Sequence, residues 1–330
     1  MIEGIYSNVK GSIDLQFASQ YNVIWGRNGS GKSAIINSIE IGAFDTAFDA
    51  AGKDVKAKGA LQALAPRGDG LFCHLTVDGE EVSWGDRSKR FDNAVAMAMR
   101  VLTGSHEHLV EFLLTHIDDD DHPIAIDAPG WQARVKHHGS YRKALLEMMR
   151  SVSASIRSHQ KRVREIGTIL EYLEDNGLEA GQVTFEWEGL QNQIAQAKEL
   201  KAKIDAEAII FVKSAFDAVE TGINRYLPEE IGRAEFVELG GKIRLSIGGG
   251  IVIPSGVETV ALAVALAGAL LSGPRALFIL PDRAYDPITL GWLMRSLRSI
   301  PCAGVFVQTT VLPERYDFTA LGWDLIGASR

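Results

Sequence analysis

The stretch Gly26-Arg27-Asn28-Gly29-Ser30-Gly31-Lys32-Ser33 matches the pattern G-x-x-x-x-G-K-[ST] at every fixed position. It follows the apolar run 21–25, which predicts a short buried strand, and it precedes 34–39, which predicts the first turns of a helix. Glycines in such a loop let successive backbone N–H groups point at phosphate oxygens, and the helix N-terminus adds the positive end of its dipole. The stretch therefore predicts a nucleoside triphosphate site. The structural alternative is a chance glycine- and serine-rich loop ahead of a helix.

The chemistry of the loop side chains indicates ATP with Mg²⁺ as the cofactor. Lys32 can reach the β- and γ-phosphates, and the Ser33 hydroxyl can ligate Mg²⁺. The predicted nucleotide-binding residues of the loop are Asn28, Gly29, Ser30, Gly31, Lys32 and Ser33.

Composition places the chain among globular proteins. It has 330 residues, of which 46% are hydrophobic and 23% charged, and a net charge of −8. Cys73 and Cys302 stand far apart in the sequence, so neither a disulfide framework nor a zinc site is expected. The start of the chain has no signal-peptide character, and the most apolar run, 260–271, is too short to span a bilayer. We expect a cytoplasmic protein without a membrane segment.

Periodicity divides the chain into three predicted parts: 1–130, 131–227 and 228–330. The first begins with alternating β patterns and contains a hairpin signal at Asp78-Gly79. The second carries two apolar stripes of helical spacing joined by a short polar turn, which predict an antiparallel helical hairpin. Its first arm would be about 65 Å long if continuous over 131–175. A compact helical subdomain is the alternative.

The third part alternates apolar strands with helices, which predicts a parallel sheet covered on both faces. The strand before the glycine loop is expected in the same sheet. The fold class is therefore predicted to be α/β: a P-loop NTPase core with a mixed or parallel sheet, an N-terminal antiparallel β subdomain and an inserted antiparallel helical hairpin.

This layout resembles the SMC/RecF-type ABC ATPases. The loop has the spelling G-x-N-G-S-G-K-S that this group favours, and Pro254-Ser255-Gly256-Val257-Glu258 is similar to the ABC signature. Stretches matching the Walker B strand, the D-loop and the switch strand are 276–282, 285–287 and 305–310. Residues 1–42 and 234–312 carry the match. The resemblance implies that Ser255 and Gly256 of one copy close over the ATP on a second copy, giving an ATP-dependent homodimer.

The Walker B strand departs from the family pattern, which ends in Asp-Glu. Here the pair reads Pro281-Asp282. Without a gap, Asp282 takes the place of the catalytic carboxylate; shifted by one residue, Asp282 is the Mg²⁺ carboxylate and Arg283 replaces the catalytic Glu. In both alignments one carboxylate is missing. Because a water-activating group contributes about 10²–10⁴-fold to the rate, slow hydrolysis is expected.

Other family positions also differ. Thr310 or Gln308 stands where the switch histidine would contact the γ-phosphate, and Val257 replaces the second glycine of the signature. His116 and Gln132 are the candidates for the Q-loop residue.

The resemblance implies an ATP-binding protein of DNA repair, recombination or DNA organisation. Residues 131–164 contain nine basic residues and one acid, Glu147, so this arm carries +8 and the remainder of the chain −16. Such an arm could follow DNA phosphates, or it could pair with acids on the second arm or on a partner protein. The alternative function is a catalytically impaired ATP-binding switch that regulates a partner protein. A transporter subunit is disfavoured by the long helical insertion.

Overall fold

The computed structural model describes residues 1–48, 54–55, 58–85, 91–117, 126, 128, 130–240, 242–248, 256–281, 283, 285–311, 313 and 316–328. The chain forms two compact units. The first combines Met1–Leu109 with Asp217–Arg330, and the second is Val110–Phe216.

In the described residues, the strands and helices follow one another in a mixed order. The strands are β1 (Ile2–Ser7), β2 (Ile13–Gln16), β3 (Tyr21–Trp25), β4 (Ala47–Phe48), β5 (Asp54–Val55), β6 (Cys73–Val77), β7 (Glu80–Ser83), β8 (Asp92–Asn93), β9 (Ala234–Leu239), β10 (Lys242–Ile247), β11 (Ala276–Ile279), β12 (Gly304–Thr309) and β13 (Asp324–Gly327). The helices are α1 (Lys32–Phe44), α2 (Lys58–Gln62), α3 (Ala94–Thr103), α4 (His106–His116), α5 (Trp131–His138), α6 (Tyr141–Asp175), α7 (Gly181–Ser214), α8 (Phe216–Tyr226), α9 (Gly256–Leu270) and α10 (Pro287–Arg298), with a 3₁₀ turn at Glu229–Ile231.

A parallel sheet of order β13-β3-β12-β11-β8 forms the centre of the first unit. The strand that leads into the glycine loop, β3, lies between β12 and β13. The expected parallel sheet is therefore confirmed, and the loop strand belongs to it. Both β11 and β12 are buried along their whole lengths, which explains the apolar sequence of β11 and of residues 304–307 in β12.

An antiparallel sheet of order β2-β1-β6-β7 covers α1 in the same unit. Ile5 of β1, Leu75 of β6 and Ile39 of α1 are almost fully buried in one shared core. The turn between β6 and β7 has positive φ at both Asp78 (49°) and Gly79 (79°), as a two-residue hairpin turn requires. The predicted N-terminal antiparallel subdomain is present.

Helix α9 is apolar on all sides and is buried from Val260 to Gly268. This burial accounts for the apolar run in the sequence, since a helix without a polar face needs neighbours all round. No helix of the described part of the chain is both long and apolar enough to cross a membrane.

The second unit contains the two long helices α6 and α7, which pack against each other as an antiparallel hairpin. The first arm is not continuous from 131, contrary to expectation. Gly139 has a left-handed φ of 62° and ends α5, and the Ser140 hydroxyl accepts a hydrogen bond from the Lys143 N–H at the start of α6. A left-handed glycine followed by a serine N-cap stops one helix and starts the next.

Candidate nucleotide-binding site

The glycine loop connects the end of β3 at Trp25 to the start of α1 at Lys32. Gly29 and Gly31 have φ of 82° and 103°, a region that side chains with a Cβ rarely adopt. The Ser30 N–H donates to the Arg27 carbonyl (3.1 Å), which closes a tight turn. The backbone N–H groups at the start of α1 consequently face the loop, where the helix dipole is positive.

Lys32 is the predicted phosphate-binding lysine, and it lies inside the loop. Its side chain is only 7% exposed. The ammonium group donates to the carbonyls of Gly26 (2.8 Å) and Arg27 (3.1 Å). A buried cation held by neutral carbonyls, without a carboxylate partner among the described residues, is an unusual arrangement that an anionic ligand would complete.

Gly26 fixes the entrance of the loop because two groups leave no space for a side chain. A Cβ there would lie 2.9 Å from the Ala328 carbonyl and would collide with the Ser30 hydroxyl. The Gly26 N–H donates to Thr309 of β12 (3.2 Å), and the Ala328 N–H donates to Trp25 (2.8 Å). Strands on both sides of β3 therefore hold the loop in place.

A cavity of about 460 Å³ opens beside the loop. One wall is the turn between β1 and β2, residues 9–15, and another is formed by Ser30, Gly31, Ala34 and Ile35. Gly327 and Ala328 close the third side. The volume lies within the usual range for small-molecule sites. No local pattern in the sequence indicates this lining, because it depends on which strands become neighbours.

Gln308 is the candidate switch residue that the structure brings to the loop side of the parallel sheet. It is opposite Ile24 of β3 and only 4% exposed. Alternation along β12 puts its side chain on the same face as Phe306, which packs in the core around α1. Its amide Oε1 is buried and has no hydrogen-bond partner among the described residues. Thr310, the other candidate, follows the strand and is exposed.

The predicted signature and Walker B residues are described only in part. Gly256 is the first residue of α9, and a Cβ on it would collide with the Arg283 guanidinium. Leu280 continues β11 by donating to Phe306 (3.1 Å). Ser255 and Asp282 lie outside the described residues.

The Q-loop candidates lie in the unit Val110–Phe216. His116 contacts Phe112: its Nδ1 lies 2.8 Å from the Phe112 carbonyl. Gln132 is exposed on α5. Neither residue belongs to the unit that contains the glycine loop.

The basic arm 131–164 also lies in this second unit, and part of its charge is neutralised there. Ion pairs join Arg134 and His138 to Glu147, Arg150 to Glu111 and Arg162 to Glu186. The hydrogen bond from Arg134, followed by that from His138, lowers the pKa of Glu147. In contrast, Lys143, Arg157 and Arg164 are exposed and have no ion-pair partner in the described residues.

No family model and no curated protein matches the chain. Many solved structures are similar to it, among them the following three. An SMC head domain of Pyrococcus furiosus bound to the C-terminal domain of ScpA has 14% identity and a TM-score of 0.41, covering 94% of this chain and 90% of its own. The recombination mediator RecF with ATP has 11% identity and a TM-score of 0.45, with coverages of 94% and 92%. An SMC head domain of Pyrococcus yayanosii has 12% identity and a TM-score of 0.42, with coverages of 93% and 92%.

At these identities and TM-scores the three likenesses say nothing about what the chain does. Its own topology is the informative observation. A glycine loop leaves the second strand of a parallel sheet, an antiparallel sheet covers α1, and a helical hairpin separates the two halves of the first unit in the sequence. The chain thus has the predicted α/β fold class: a parallel sheet that carries the glycine loop, an N-terminal antiparallel β subdomain, and a helical hairpin inserted in the sequence.

Proposed function

We propose that the chain binds ATP at the loop 26–33. The observation that carries this proposal is the buried Lys32 ammonium, held by loop carbonyls at the positive end of α1. Phosphates would accept hydrogen bonds from Lys32 and the loop N–H groups. The neighbouring cavity of about 460 Å³ is large enough for the nucleoside.

Mg²⁺ is the metal that this donor set fits. Ser33, the second residue of α1, supplies a hydroxyl next to Lys32, and Asp282 supplies a carboxylate in the sequence that follows β11. Oxygen donors of this kind suit Mg²⁺, which neutralises phosphate charge when bound.

ATP joins two copies of the chain in this proposal. Gly256 opens α9, a helix of 15 residues whose N-terminus can accept an anion, with Ser255 beside it. Further along the sequence, the D-loop stretch 285–287 is followed by Ile288, an apolar side chain that is 66% exposed. A second copy that covers Ile288 would remove this apolar surface from water.

The proposed biological role is ATP-dependent action on DNA, in repair, recombination or chromosome organisation, with slow hydrolysis. Support comes from the exposed cations Lys136 and Lys143, which lie on the basic arm without acidic partners among the described residues. The second candidate is a regulatory protein that binds ATP but hydrolyses it too slowly to drive a reaction on DNA. It is supported by the missing carboxylate beside Asp282.

Isothermal titration calorimetry with Mg²⁺-ATP tests the nucleotide site. The wild-type chain should bind ATP, and Lys32→Ala should weaken binding at least about tenfold, since it removes a charge-assisted contact with phosphate. Lys242→Ala, at an exposed lysine on β10, is the matched control. Equal affinities for wild type and Lys32→Ala would contradict the proposal.

Size-exclusion chromatography with and without Mg²⁺-ATP tests the dimer, at about 300 mM salt so that exposed ion pairs are screened. ATP should shift the wild type to twice its mass, whereas Ser255→Arg and Ile288→Glu should stay monomeric with ATP still bound. Leu239→Glu, at another exposed apolar residue, is the control that should dimerise normally. A wild type that binds ATP and remains a monomer would support the nucleotide site and exclude the ATP-dependent dimer.

A further inference from the structure

The solvent-facing side of α6 carries a stripe of polar residues with the spacing of a coiled-coil seam. Its members are four or three residues apart along the helix, so they lie on one face. They are Arg157, Lys161, Arg164, Thr168, Glu171 and Asp175, and every one is exposed. The buried residues Ile156 and Ile166 of α6 lie on the opposite side, which packs against α7.

The charge changes sign along this stripe. Three cations, Arg157, Lys161 and Arg164, are followed by the acids Glu171 and Asp175 at the end of the helix. Helix α6 has no acid in its first turn and no base in its last turn. The acids at the end of α6 oppose the helix macrodipole, which favours bases near a helix C-terminus. Local helix stability therefore does not account for these acids.

The outer charges of the stripe are not satisfied within the described chain. Arg157, Arg164, Glu171 and Asp175 have no ion-pair partner among the described residues, whereas the neighbouring Arg162 pairs with Glu186. Lys161 lies 3.9 Å from Glu165 on the same helix, an exposed contact that another carboxylate can replace. In addition, Tyr172 next to the acidic half is 62% exposed. Both halves of the stripe are thus available to another molecule.

We propose that the stripe of residues 157–175, the α6 stripe, pairs antiparallel with the same stripe of a second copy. In this register Arg157 faces Asp175 of the second copy and Lys161 faces Glu171, while Arg164 faces the neutral Thr168. The two-fold axis repeats each contact, so the surface is self-complementary. Parallel pairing would place like charges opposite each other. Gly167 lies close to the axis and adds no side chain there.

This contact goes beyond the proposed ATP-dependent dimer, because it requires neither nucleotide nor the loop 26–33. The acids of the α6 stripe favour a second copy over nucleic acid as the partner. A duplex could follow Arg157 and Arg164, but Glu171 and Asp175 would repel its phosphates. Only a partner whose charges run in the opposite direction satisfies both halves at once.

Sedimentation equilibrium without nucleotide at about 50 mM salt tests the proposal, since low salt leaves exposed ion pairs weakly screened. The wild type should self-associate. Arg157→Glu with Lys161→Glu (the base-reversed variant) and Glu171→Arg with Asp175→Arg (the acid-reversed variant) should each raise the dissociation constant about tenfold. A mixture of equal parts of the two variants should associate like the wild type, because every charge in the mixed pair again faces its opposite.

Controls separate this contact from folding and from ATP binding. Lys136→Glu with Lys198→Glu reverses two exposed cations outside the stripe and should leave self-association unchanged. Lys32→Ala should also leave it unchanged, even where ATP no longer binds. Circular dichroism should show equal helix content in all variants.

A monomeric wild type at low salt would overturn the proposal. A mixture that associates no better than either variant alone would do the same. If the base-reversed variant failed only to bind duplex DNA, with self-association intact, the α6 stripe would be a nucleic-acid surface and the proposal would be wrong.

Discussion

At the scale of single residues, Gly26 determines whether the nucleotide loop can form. A Cβ on it would collide with the Ser30 hydroxyl and lie 2.9 Å from the Ala328 carbonyl, so no methyl group fits. We expect Gly26→Ala to weaken ATP binding about tenfold or more, because such overpacking costs about 1–3 kcal/mol and displaces the loop. Calorimetric titration measures the change. Gly59→Ala, where a Cβ meets nothing within 4 Å, is the control and should bind ATP normally.

Gln308 gives a prediction in which stability and binding change in opposite directions. Its buried Oε1 has no partner in the described residues, and a buried unpaired oxygen costs about 1–3 kcal/mol. Replacement by Leu should therefore raise the melting temperature of the ligand-free protein. If the amide serves the nucleotide, the same variant should bind ATP more weakly. A Gln308→Leu protein that is less stable without ligand would show that the amide has a structural role instead.

At the scale of elements, the N-cap of α10 is a contact whose contribution to the unfolding free energy can be measured directly. Asp286 accepts hydrogen bonds from the N–H groups of Ile288 and Thr289, both at 3.0 Å, and from the Thr289 hydroxyl at 2.6 Å. The Thr289 bonds chiefly lower the pKa of Asp286 below its ordinary 3.8. Asp286→Ala should cost about 1 kcal/mol of unfolding free energy near neutral pH.

The pH dependence of this effect has a definite sign. A carboxylate with a lowered pKa in the folded state stabilises the protein above its unfolded pKa, and the contribution disappears as the pH falls through the folded pKa. The stability gap between wild type and Asp286→Ala should therefore be constant above about pH 5 and shrink below pH 3.8. Urea denaturation at several pH values measures it. Asp286→Asn keeps a capping oxygen that does not titrate. If the stability difference between Asp286→Asn and Asp286→Ala varied with pH as strongly as that between wild type and Asp286→Ala, another group would be responsible.

Elements with strong local signals could be predicted from the sequence. The Asp78-Gly79 hairpin, the loop 26–33 and the buried strands β11 and β12 all stand where periodicity and turn residues indicate. The break between α5 and α6 could not be predicted, because the apolar stripe continues past Gly139 and only the backbone shows that this glycine is left-handed. Strand β8 has only two residues, too few for a periodic signal, and β13 contains only two apolar residues, Leu325 and Ile326.

In the candidate site, too, some residues could be predicted from local sequence and others could not. Lys32 and its loop are encoded by adjacent residues, so the motif predicts them directly. The burial of Gln308 beside Ile24 depends on β3 and β12 becoming neighbours, which no local pattern specifies. The wall at 327–328 depends on β13 in the same manner.

For the whole molecule, the uneven charge predicts salt-dependent DNA binding. The arm 131–164 carries +8 within a chain of −8. Because phosphate binding releases counterions, the affinity for duplex DNA should fall steeply between about 50 and 200 mM salt. Lys143→Glu should weaken binding and reduce the salt slope by about 1, the change expected when one lysine no longer neutralises a phosphate. Fluorescence anisotropy with a labelled duplex measures both.

Glu171→Lys provides the matched control for this measurement. It changes an exposed charge on the same helix, outside the basic arm, and should not weaken DNA binding. An equal decrease of affinity in both variants would indicate a change in α6 itself. Absence of duplex binding at low salt would favour the regulatory candidate over the DNA-directed one.

The position of β3 has a consequence for the order in which the protein is made. Its neighbours β12 and β13 are synthesised much later, and the Ala18 N–H donates to the Asp324 carboxylate, 306 positions away. A growing chain therefore carries the complete glycine-loop sequence long before it has the strands that hold the loop. Contacts this distant in sequence form slowly. At the proposed site, ATP should therefore bind only after residue 328 has left the ribosome, so that nucleotide binding would mark a molecule in which both neighbours of β3 have been synthesised.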